Sequence, residues 1–112
     1  MPHPFNSPLF TPWRDPVSGV ESFILTTRVA PVQQSFYYVT PSLTAGGRHL
    51  WIRCAFPPGR HHILAVADLE AGTLRLVPEA QPDGGPHVDP RTGDVYWTCG
   101  LELWRRGPRE AD

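Results

Sequence analysis

Apolar and polar positions alternate or cluster in short runs along the chain, and each run ends at a proline or glycine. Val20–Leu25 (VESFIL) reads as a strand after the turn Asp15-Pro-Val-Ser-Gly19, where proline pre-sets φ and glycine accepts a positive one. Phe36–Val39 (FYYV) is a short aromatic strand. His49–Phe56 (HLWIRCAF) is the strongest strand pattern, and His62–Ala67 (HILAVA) is another. The turn Asp68-Leu-Glu-Ala-Gly72 leads into Thr73–Val77 (TLRLV). After a loop over 78–86, the pattern predicts a short strand near His87, then Asp94–Thr98 (DVYWT) and Leu101–Arg105 (LELWR). No apolar helical spacing survives 12 residues without a break, so the expected class is all-β.

The pattern also repeats. A shift of 45 residues lays Leu43 on Val88, Leu50 on Val95, Trp51 on Tyr96, Ile52 on Trp97 and Cys54 on Cys99. One unit holds four strands, the signature of a β-propeller blade; a small β-sandwich is the plainer alternative. The expected organisation is an irregular proline-rich arm over 1–14 and a leading strand within 15–35, placed to close a ring. A first blade of four antiparallel strands spans 36–80, a partial second blade 81–107, and a tail 108–112. About one and a half blades do not close a propeller, which implies an incomplete propeller or an oligomerising fragment.

Composition narrows the chemistry. The chain has 112 residues and a formal net charge of -1, and all ten basic residues are arginine. No basic field exists to meet a phosphate backbone, so no nucleic-acid partner is expected. Without lysine there is no Schiff-base chemistry, while arginine remains available for bidentate contact with carboxylates. No signal peptide and no membrane-spanning run is read, so a cytoplasmic location without a membrane partner is expected.

The quoted runs resemble those of a known family. Asp15-Pro-Val-Ser-Gly-Val20, Leu25-Thr26, Phe36-Tyr-Tyr38, Pro41–Arg48 and Leu64–Gly72 look like the start of oligogalacturonate lyase-like propellers, within the wider TolB-like repeat group. The resemblance covers residues 14–106. Ala45-Gly-Gly-Arg48 lacks the aspartate usual in that group's turn, whereas the Asp-Leu-x-x-Gly hairpin is kept at Asp68–Gly72. The resemblance implies cytoplasmic β-elimination of short pectin fragments by the full-length family, using a divalent metal such as manganese. The family's metal and catalytic residues lie in later blades, so no catalytic residue, metal ligand or cofactor is assigned here. The expected role is a structural, non-catalytic propeller segment. The alternative is a non-enzymatic TolB-like binding module for protein or carbohydrate.

The expected ligand rim gathers Gln33, Gln34, Arg60, His61, His62 and His87, with oligogalacturonate or another uronate as candidate partner and self-association as a second. The plainer reading of these six is solvated loop. Adjacent His61 and His62 point to opposite faces of a strand and make a poor metal pair. Cys54 and Cys99 are read as small core residues. Trp51, Trp97 and Trp104 are read as packing between blades rather than as sugar platforms.

Overall fold

The computed structural model describes residues 7–36, 43–59 and 61–109, without the side chain of Ala45. Among these, every long element is a strand, joined by one short 3-10 turn at Ala45–Gly47. Strands β1 (Phe10–Arg14) and β2 (Glu21–Leu25) form a two-stranded hairpin. Strands β3 (Val32–Gln34), β4 (His49–Ala55), β5 (His62–Asp68) and β6 (Thr73–Val77) form a four-stranded antiparallel meander. Strands β7 (His87–Val88), β8 (Val95–Cys99) and β9 (Glu102–Arg106) form a third sheet. The all-β expectation holds, and none of the three sheets closes on itself.

The central sheet is apolar on both faces, which is why β4 and β5 read as near-continuous hydrophobic runs. Trp51, Leu64, Val66 and Val77 of one face join Val88, Val95 and Trp97 of the third sheet in one buried cluster. On the other face, Ile52, Cys54 and Ala65 pack with Ala30 and Leu25. Ala67 and Leu69 extend that face under Leu9 and Phe10. The register supports both assignments, since Trp51 pairs with Val66 and Ile52 with Ala65.

The 45-residue repeat is visible in the pairing. Leu43 bridges Leu50, and Val88 pairs with Val95, both 45 positions on. A second recurrence was not among the expectations. In Asp15-Pro-Val-Ser-Gly19, the Asp15 N–H donates to Val20 O, the Gly19 N–H to Asp15 O and the Val17 N–H to Asp15 Oδ1, each at 2.9 Å. Asp89-Pro-Arg-Thr-Gly93 makes the same bonds: Asp89 N–H to Asp94 O at 2.9 Å, Gly93 N–H to Asp89 O at 2.8 Å and Arg91 N–H to Asp89 Oδ1 at 3.0 Å. Thr44 builds a shorter version, with its N–H on His49 O at 2.9 Å and its carbonyl accepting from Gly47 N–H at 3.0 Å. One corner thus introduces β2, β4 and β8.

Several expectations need correction. Within the arm expected to be irregular, residues 10–14 are a strand: Pro12 lies opposite Phe23 in an edge strand, where proline's missing donor is tolerated. The leading strand pairs locally with β1. The first strand of the central sheet is Val32–Gln34, paired with Arg53–Ala55. Phe36 lies outside any strand, and the rest of the expected strand 36–39 falls outside the described residues. Strand β9 starts one residue later than expected, because Gly100 and Leu101 form the turn between β8 and β9. Cys99, expected in the core, is exposed at the end of β8. Cys54 is buried as expected, and burial pushes its thiol up to about 11, so it is inert near neutral pH.

Candidate functional site

The corner at 44–49, the corner at 89–94 and the segment after β9 meet where the central and third sheets join. The Trp51 indole N–H donates to Gly93 O at 2.8 Å inside this seam. Arg75 Nη2 donates to Pro108 O at 3.2 Å, tying the segment after β9 to the central sheet. Arg106 forms an ion pair with Glu79, a further link between the third sheet and the segment after β6.

Between these elements lies a cleft of about 520 Å³, whose lining includes Thr44, Arg48, His49, Arg91, Thr92 and Arg109. Arg48 is held from behind by Asp68 in a fork, Nε to Oδ1 at 3.2 Å and Nη2 to Oδ2 at 3.1 Å. Asp68 also caps the β5–β6 turn by accepting from Ala71 N–H at 3.0 Å. Burial alone would raise the Asp68 carboxyl, but the Arg48 fork and the Ala71 N–H outweigh it and leave it below its ordinary value. Arg91 lies 3.6 Å from Asp89 of its own corner, and the Arg91 N–H holds the Asp89 carboxyl below its ordinary value.

His49 opens β4 with a side chain only 8% exposed. Its Nε2 makes no hydrogen bond among the described residues, and the Asp68 carboxylate stands off at 3.7 Å. Burial pushes the imidazole below its ordinary pKa; Asp68 opposes that, while Arg109 and Arg48 reinforce it. His49 thus lines the cleft with a buried ring nitrogen that makes no hydrogen bond among the described residues.

The described residues of the sequence-predicted rim sit elsewhere. The Gln33 carboxamide staples its own loop: Oε1 accepts from Val29 N–H at 2.7 Å and Ala30 N–H at 3.2 Å, and Nε2 donates to Thr27 O at 3.1 Å. Gln34 is exposed and pairs with Arg53. His61 is exposed, and His62 is half-buried opposite Ala55. His87 is exposed opposite Tyr96. Arg60 lies outside the described residues. His62 and the cleft's His49 stand at opposite ends of the β4–β5 ladder, about 20 Å apart at about 3.3 Å per residue. Among the described residues, no three His, Cys, Asp or Glu side chains converge as a metal site.

Of the tryptophans, Trp51 and Trp97 are buried and Trp104 is 40% exposed. Trp51 and Trp97 pack in the cluster shared by two sheets, as expected, whereas Trp104 stacks on its cross-strand neighbour Trp97 with centroids 6.0 Å apart and keeps an exposed face. The cleft residues Arg48, His49, Arg91 and Arg109 were not singled out from the sequence. The signal for them was the recurring corner, which puts Thr44 and Asp89 at equivalent places.

Comparison with family models, curated proteins and solved structures finds no match for this chain. The class defined by the structure is an all-β protein of small antiparallel sheets packed face to face.

Proposed function

We propose that the chain is a structural, non-catalytic segment of a blade-repeat protein, an incomplete propeller of the oligogalacturonate lyase-like, TolB-like type. In this reading, pectin-fragment β-elimination and its divalent metal belong to a complete propeller, and this chain contributes scaffold. The supporting observation is the way two repeats meet. By the 45-residue shift, Val95 and Trp97 correspond to Leu50 and Ile52. The central sheet meets them not with Leu50 and Ile52 but with Trp51 on its opposite face. Such a head-to-tail contact propagates until it closes a ring or runs on as a filament.

The next contact in that series falls on the face of the third sheet carrying Tyr96 and Leu103. Leu103 is 73% exposed. At the other end of the stack, the β1–β2 hairpin presents Trp13 at 50% and Ile24 at 47% exposure. The occupant we assign to the Leu103 face is this hairpin from a second copy. Light scattering after size exclusion is expected to find a particle of about three chains, enough sheets for a propeller-sized ring. Leu103→Arg is expected to return it to monomer, because a charge in a buried apolar contact is costly. A wild-type monomer at high concentration would rule this assembly out.

A second reading, a non-enzymatic binding module, is favoured by the cleft around His49, which the scaffold role leaves unused.

A further inference from the structure

The side chains turned into the cleft are donors. Among the described residues Arg48, Arg91 and Arg109 line it and no carboxylate does; Asp68 forks onto Arg48, and Asp89 lies 3.6 Å from Arg91. The Thr44 hydroxyl accepts from His49 N–H at 3.2 Å, and the Thr92 hydroxyl accepts from Asp94 N–H at 3.2 Å. Each hydroxyl accepts one bond and retains its proton to donate. Arg109 is exposed and makes no ion pair among the described residues.

His49 supplies an independent observation. Its side chain is more than nine-tenths buried, and its Nε2 makes no hydrogen bond among the described residues. An unsatisfied buried polar atom costs about 1–3 kcal/mol, so this nitrogen is a donor beside the cleft that an acceptor reaching it would satisfy. The donors also approach from separate segments: Thr44, Arg48 and His49 from one corner, Arg91 and Thr92 from another, and Arg109 from beyond β9. A carboxylate is flat and is satisfied by one guanidinium fork. A tetrahedral dianion offers oxygens in several directions and takes donors from all three segments.

The geometry points to a phosphoryl-binding site in this cleft, taking inorganic phosphate or the phosphate group of a small monoester. It goes beyond the scaffold role and does not depend on the propeller reading.

The test titrates the full chain with inorganic phosphate, then with glucose 6-phosphate, and follows backbone amide resonances by NMR. Saturable shifts are expected at Thr44, His49 and Gly93. Tighter binding of the sugar ester assigns the site to monoesters, and tighter binding of the free ion assigns it to phosphate itself. Arg91 and Arg109 are exposed, so Arg91→Ala and Arg109→Ala keep the fold, as a superimposable amide spectrum away from the cleft would show. Each is expected to weaken binding about tenfold, the value of one charge-assisted hydrogen bond. Galacturonate at matched ionic strength is expected to leave the same resonances unmoved. No saturable shift with either phosphate, affinity unchanged in both variants, or equal binding of galacturonate would each overturn the assignment. None of these outcomes bears on the assembly measured by light scattering.

Discussion

Trp51→Ala is expected to destabilise the protein by about 3–5 kcal/mol, the range for truncating a large buried aromatic. Trp51 is fully buried in the cluster shared by the central and third sheets, so its loss opens the joint between repeats. It also leaves Gly93 O without the indole donor held at 2.8 Å. A domain of this size is stable by only about 5–15 kcal/mol, so the variant approaches the unfolding threshold. Trp51→Phe keeps much of the ring and loses the N–H; about 1–2 kcal/mol is expected from the missing bond. Urea unfolding followed by circular dichroism reads both as shifts in midpoint at unchanged slope. An alanine variant as stable as the parent would mean that Trp51 does not join the sheets.

Gly93→Ala is expected to cost about 2–3 kcal/mol. Its φ is +81°, and an added Cβ would lie 3.2 Å from both Pro108 Cγ and Thr44 Cγ2. The left-handed conformation costs a side chain about 1–2 kcal/mol, and the crowding adds to it. Gly19 is the control: it fills the same place in the first corner, at φ +76°, with nothing within 4 Å of an added Cβ. Gly19→Ala should therefore show the backbone cost alone, about 1–2 kcal/mol. Thermal unfolding of the two variants separates the terms, and equal losses would show that Pro108 and Thr44 do not crowd Gly93.

The central sheet was legible because burial on two faces makes its strands apolar throughout, as in His49–Ala55 and His62–Asp68. Asp68 and Gly72 marked their turn correctly. Val32–Gln34 was not legible: it is a short strand with two glutamines, defined only by its partner β4. Pro12 hid β1, since edge pairing cannot be told from an irregular arm by composition. In β9 the apolar pattern placed the start one residue early, because Leu101 belongs to the turn. Leu101 lies there fully exposed, Leu103 faces outward, and Trp104 lies beside Trp97. The cleft was hidden for a different reason. Its cations come from separated positions, Arg48, Arg91 and Arg109, which only the packing of two corners brings together. For Gln33 the sequence alone does not reveal its local partners, the backbone N–H groups of Val29 and Ala30 that its carboxamide satisfies.

Native-state hydrogen exchange tests most directly the claim that the central sheet is clamped between its neighbours. The slowest amides are expected in β4 and β5, which carry the buried residues of both faces. The β1–β2 hairpin, largely exposed, is expected to exchange faster by local opening. Exchange from β4 and β5 as fast as from the hairpin would contradict the stacked arrangement, and with it the scaffold role proposed for this chain.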